Sequence, residues 1–213
     1  MEEIISQRFK RERDLFFEDP VNYVEASESS ILHLLRRDIY RCMGYTIQNE
    51  KWVKNVEPII WPGAMAVLTG IDLLGKFYAG NDDSNHVGSR FKAYCEKYIC
   101  SHDDAQVIYE LRNSFLHSFG LFSKSRTATY YFQVSSSRQD LVTKFSVGGP
   151  DYYYRIDLYT LRDKFEQSIA KYKKDLETDN ELQKKFDAMF NSYGMVHPAN
   201  TYFHDQIIDS ETT

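Results

Sequence analysis

A change of hydrophobic period near residue 122 constrains the fold of this chain more than any other feature. Before it, apolar residues recur at the three-to-four-residue spacing of helices. Ile31, Leu34, Leu35, Ile39 and Met43 fall on one side of residues 27–45, and Gly44 offers a stop. A second helix is expected to begin at Trp61-Pro62, where proline suits a first turn, and to run to Ala79-Gly80. Residues 80–84 read as a loop by composition, and a third helix fits residues 85–99. A fourth fits residues 103–122, with Ser101 as its cap and Asp104 in the acidic third position of a capping box. Residues 46–60 read as a connection into which Trp52 and Val53 can pack.

Beyond residue 122 the composition turns β-branched and aromatic. Residues 127–134 and 141–147 predict two strands joined as a hairpin by the polar residues 135–140, and residues 152–156 add a third. The helical period then returns through Leu158, Leu161, Phe165, Ile169 and Tyr172, and a shorter helix fits residues 180–193. The expected architecture is mainly α: a charged lead-in over 1–26, a helical bundle over 27–122, a β-rich insertion over 123–157 forming a hairpin or small antiparallel sheet, and C-terminal helices with a tail over 158–213.

The chemistry is concentrated in Arg112-Asn113-Ser114-Phe115-Leu116-His117, which sets a fixed cation, an amide and an imidazole within about one and a half helical turns. Arg keeps its charge at every working pH and forks onto phosphate oxygens, while His, with an ordinary pKa near ~6.5, can take and return a proton near neutrality. Ile108, Leu111, Phe115, Phe119 and Phe122 define an apolar stripe on the fourth helix. At ~100° per residue Arg112 falls inside the edge of that stripe, whereas Asn113 and His117 stand roughly 140° and 180° from Ile108. A cation in that position needs a partner. Asp72 lies beside Leu68 and Gly75 on a side of the second helix that should pack, which makes it the candidate partner; a rim acid pointing into solvent fits the sequence equally well.

An Arg, a following polar residue and a His four to six residues beyond resemble the signature of the HEPN superfamily, over roughly residues 27–122. The resemblance implies an antiparallel HEPN-like helical bundle that forms a homodimer, with Arg112, Asn113 and His117 as catalytic residues and no cofactor; Asp72, from its helical spacing alone, is the candidate supporting residue. It implies a metal-independent endoribonuclease, of a kind found in toxin–antitoxin and phage-defence systems, with RNA as substrate and a protein antitoxin as regulatory partner. Two alternatives from other classes stand beside it: a catalytically inactive dimerisation or interaction module, and an RNA or nucleotide binder that does not cut. Family members controlled by a nucleotidyltransferase carry Tyr two residues after the motif His; this chain has Phe119, which has no hydroxyl to modify.

Net charge is −5 with a pI near 5.7, so RNA contact has to be local rather than spread over the surface. Lys124 and Arg126 just past the motif, and Arg36, Arg37 and Arg41 on the first bundle helix, are the candidate RNA-binding cations; Lys171, Lys173 and Lys174 form a further basic run. Cys95, Cys100 and His102 are loosely spaced like metal ligands but lack a paired Cys-x-x-Cys and a fourth donor, so no metal site is expected. The N-terminus has no basic region leading into an apolar run, and no stretch approaches the ~20 apolar residues of a membrane span, which points to a cytoplasmic protein without membrane contact.

Overall fold

The computed structural model describes residues 2–22, 29–125, 128–145 and 152–195, and it is mainly helical. In chain order the helices are α1 (Glu2–Phe16), α2 (Ile31–Cys42), α3 (Ile60–Ala79), α4 (Val87–Tyr98), α5 (His102–Asn113), α6 (Leu158–Asp175) and α7 (Asn180–Tyr193). Their ends follow from capping chemistry. Ser30, Ser101, Asp157 and Asp179 each accept a hydrogen bond from an otherwise orphaned N–H in the first turn of α2, α5, α6 and α7. Gly80 closes α3 with φ +74°, a left-handed conformation that disfavours a side chain.

The α3 helix organises the bundle because its sequence is apolar on nearly every side: it packs against α2, α4, α6 and α7. Phe16 and Phe17, at the end of α1, are buried in the same core, and the Phe16 ring lies 4.4 Å from Phe77 of α3 and 5.4 Å from Phe186 of α7. A second aromatic cluster joins α4 to α6, where Tyr94 and Tyr172 are fully buried and the Tyr94 hydroxyl meets Ser168 at 3.0 Å. Burial pushes both of these hydroxyls well above their ordinary pKa, so they stay neutral. No helix among the described residues is long and apolar enough to cross a membrane.

Two sheets depart from the sequence expectation. Part of the expected connection at 46–60 is a hairpin of β1 (Tyr45–Gln48) and β2 (Lys51–Lys54), turned by Asn49 and Glu50 at φ +48° and +58°. Two consecutive left-handed residues form the hairpin turn that matches strand twist. Trp52 stacks on Tyr40 of α2 at 4.7 Å. The larger sheet contains β3 (Phe122–Lys124), β4 (Thr129–Ser135), β5 (Val142–Phe145) and β6 (Tyr152–Asp157), in the order β3-β4-β6-β5. The expected hairpin between 127–134 and 141–147 is therefore not formed: β6 lies between them, parallel to β4 and antiparallel to β5, and the sheet is mixed rather than antiparallel. The physical reason is burial. Tyr154 and Ile156 of β6 are buried, which requires a central strand, whereas β5 exposes Lys144 and suits an edge.

The fourth bundle helix also ends earlier than its period predicts. Helix α5 stops at Asn113, one π-helical turn covers Ser114–Ser118, and Phe119 takes a left-handed conformation with φ +53°. Ile108, Leu111 and Phe115 are buried as the stripe requires, but Phe119 is 72% exposed and Phe122 has left the helix for β3. Ser114 enforces the reversal: its hydroxyl donates to the Gly120 carbonyl at 2.5 Å and accepts from the Phe122 N–H at 2.9 Å.

Close approach of α3 and α6 rests on Gly70, where an added Cβ would lie 2.5 Å from the Phe165 ring and 3.2 Å from Leu35. Gly70→Ala should destabilise the fold by about 1–3 kcal/mol through overpacking. At Gly120 the nearest atom to an added Cβ is 3.7 Å away, and Gly120→Ala should stay within ~0.5 kcal/mol. Urea unfolding of the two variants measures the difference; equal stabilities would contradict this packing account.

Candidate functional site

The site begins with a buried ion pair. Arg112, on α5, donates through Nη2 to Oδ2 of Asp72 on α3 at 2.7 Å, and the two side chains are only 12% and 15% exposed. This contact ties the motif helix to the central helix and fixes one edge of the guanidinium. The other terminal nitrogen, Nη1, donates to Asn113 Oδ1 at 3.3 Å and meets His117 Nε2 at 3.2 Å. The structure thus brings together four residues that the sequence reading named: Arg112, Asn113, His117 and Asp72.

The π turn makes this meeting feasible. In an uninterrupted α-helix, residues five apart point ~140° away from each other. A π turn spaces its hydrogen bonds five residues apart, here from the Phe119 N–H to the Ser114 carbonyl, and swings His117 back toward Arg112. Arg can only donate, so in this contact Nε2 of His117 is the acceptor.

Asn113 and His117 line a groove of about 500 Å3 between α5, the π turn and β3, together with Tyr109, Phe122 and Lys124. Arg112 stands behind them and does not line it. Lys124 is exposed and forms no ion pair among the described residues, so its charge is available to the groove. Arg36 is committed elsewhere, with Nη2 at 2.6 Å from Glu166 and Nη1 donating to the Glu18 carbonyl. Arg41 pairs with Asp38 at 3.7 Å, and Arg37 is half-buried on the same helix. None of these three lines the groove. Arg126, His197 and His204 lie outside the described residues.

The sequence reading missed the groove's acidic wall. Glu110, 6% exposed, accepts from Ser123 of β3 at 2.6 Å and from Gln106 at 2.9 Å. One signal was available: Glu110 precedes Asn113 by three residues and so shares its helical face. Its partner Ser123 became visible only once β3 had folded back onto α5. A second, larger cavity of about 670 Å3 lies on the far side of Phe115, is walled mainly by apolar residues including Trp61 and Phe132, and shares no other motif residue. Among the described residues no cluster of His, Cys, Asp and Glu is arranged to hold a metal ion.

Chemically, the arrangement presents an imidazole backed by a fixed cation, an amide beside it, and an exposed lysine across a polar groove that Glu110 also lines. These groups suit an anionic substrate and proton transfer near neutral pH. No protein-family model, curated protein or solved structure matches this chain.

Breaking the buried pair should be costly, because it strands a charge. Asp72→Ala is expected to destabilise the protein by on the order of 3 kcal/mol. Combining it with Arg112→Met should cost less than the sum of the single substitutions by about 1–3 kcal/mol. Strictly additive costs in denaturant unfolding would show that the pair does not couple α3 to α5.

Proposed function

We propose that this protein is a metal-independent endoribonuclease of HEPN type. The observation that carries this reading is the contact of His117 Nε2 with the Arg112 guanidinium, with Asn113 on the same nitrogen. In this mechanism His117 Nε2 removes the proton from a ribose 2′-hydroxyl, and the resulting oxygen attacks the adjacent phosphorus. The P–O5′ bond breaks, and the leaving oxygen takes a proton to become a 5′-hydroxyl. Arg112 stabilises the negative charge that accumulates on the pentacoordinate phosphate, and Asn113 orients phosphate or imidazole. This mechanism requires a phosphate in the groove to displace Asn113 and His117 from Nη1 of Arg112 behind them, which frees Nε2 from its resting contact when a base is needed. Asp72 holds Arg112 in place without touching substrate.

A homodimer fits this proposal. One imidazole can serve as base, and a second, from a symmetric copy, can serve as acid. Phe119, two residues past His117, holds its ring out to solvent from a left-handed backbone that costs about 1 kcal/mol. The homodimer reading places contact between copies at this ring, beside the catalytic groups. The same feature supports the second reading, an interaction module without catalysis, and a toxin with a protein antitoxin would use such a surface as well.

Purified protein is expected to cleave single-stranded RNA with chelator present, and His117→Ala and Arg112→Ala should each slow cutting by on the order of a hundredfold or more. Gel assays on folded variants measure this; full activity of His117→Ala would remove it as the base. If the wild type binds RNA and never cuts, the binder reading replaces this one. For the dimer, Phe119→Asn keeps a residue that tolerates the left-handed conformation and deletes the ring. Sedimentation should show wild type as a dimer at micromolar concentration and Phe119→Asn shifted toward monomer with reduced cleavage. A monomeric wild type that cuts at full rate would contradict the composite site.

A further inference from the structure

The four-stranded sheet has two unlike faces. On one, Phe132, Tyr154 and Ile156 are buried, and the aliphatic residues of these strands, Val134, Val142 and Ile156, stand in register with one another. On the other, Phe122, Tyr131, Tyr153 and Phe145 are consecutive cross-strand partners, one from each of β3, β4, β6 and β5. These four aromatic residues form a row across all four strands, spanning ~14 Å at the usual strand spacing. Phe122 is 45% exposed and the other three are half-buried, so this face does not serve as a core.

The row has cationic ends. Two residues past Phe122 on the same face is Lys124, exposed and without an ion pair among the described residues. Beyond Tyr153 is Arg155, whose guanidinium lies 4.6 Å above the Phe145 ring and donates to the amide oxygens of Gln133 and Gln139 rather than to a carboxylate among the described residues. The row is also continuous with the site. Phe122 is both its first member and a wall of the groove that holds Asn113 and His117.

We propose that this face is a platform for single-stranded RNA, which crosses the sheet along the aromatic row and enters the groove at His117 over Phe122. The identity of the cutting site rests on the function proposed above; the platform rests on the sheet. Flat aromatic rings between cations match what single-stranded nucleic acid offers, a π-face on every base and a charge on every linkage. The Tyr131 and Tyr153 rings stack on each other at 4.7 Å and 13°, while the Phe122 ring is tilted 55° from Tyr131. Base stacking is therefore assigned first to Phe122, the most exposed of the four rings, with the stacked tyrosine pair continuing the aromatic surface.

The test is fluorescence anisotropy of the full chain with a labelled 2′-O-methyl RNA of about 12 nucleotides, a length suited to such platforms. This probe lacks the attacking hydroxyl, so binding is read without cutting. Phe122→Ala and Tyr153→Ala should each weaken binding roughly 5-fold or more. Tyr153→Phe, which keeps the ring, should retain most of the affinity and serves as the control for folding. Arg155→Gln should weaken binding and flatten its salt dependence. A duplex of the same length should compete poorly. Wild-type protein that does not bind the probe, binding indifferent to Phe122 and Tyr153, or equal competition by duplex would each overturn the platform. Loss of binding in the ring variants of a protein that cuts no RNA would leave the platform standing and remove the nuclease reading instead.

Discussion

The 2.7 Å contact between Asp72 and Arg112 is the interaction on which the site depends. Helix α3 sits at the centre of the bundle, so an acid on it is held by the packing of four neighbouring helices. That rigidity passes to the guanidinium, and the guanidinium in turn fixes Asn113 and His117. Two charges with little exposure are expensive to bury, and such a pair is weak evidence for stability by itself. What it supplies is position. A flexible cation on a solvated face would reach phosphate equally well but would lose more freedom on doing so.

The second constraint is local and lies in the chain reversal after the motif. A π turn, a left-handed Phe119 and the two hydrogen bonds of Ser114 all fall between Ser114 and Phe122. Strain of this kind persists where surrounding contacts over-determine it. Here the result is that β3 returns antiparallel to β4 directly beside the motif helix, so the sheet and the groove lined by Asn113 and His117 share Phe122 as a common residue. The β-rich region is thereby structurally joined to the motif rather than hung at a distance from it.

Much of this was legible in the sequence where the determinants are local. Trp61-Pro62 and Gly80 bounded α3, Ser101 marked the start of α5, and the helical positions of Asp72 and Arg112 made them candidate partners, although a solvent-facing Asp72 fitted the sequence equally well. The features that escaped were set by non-local closure. Nothing between residues 112 and 122 shows a π turn, because its stabilising partners for Ser114 lie at Gly120 and Phe122, and their geometry exists only after the turn has formed. The period instead extended Phe119 and Phe122 along a helix they do not join. The insertion of β6 between β4 and β5 likewise depends on which strand the helices cover, a property of the assembled layers that polar residues 135–140 cannot encode. At Asn49-Glu50 the turn signal was weaker than Asn-Gly, and the hairpin passed as a connection.

The central claim is that proton transfer by His117, rather than a metal-bound water, drives strand cleavage. Mass spectrometry of the ends left on a defined single-stranded RNA tests it most directly. Attack by the neighbouring 2′-oxygen predicts a 2′,3′-cyclic phosphate on one fragment and a 5′-hydroxyl on the other. Fragments bearing a 5′-phosphate would contradict the account, because they require water to attack phosphorus with the 3′-oxygen leaving, a reaction in which the 2′-hydroxyl takes no part.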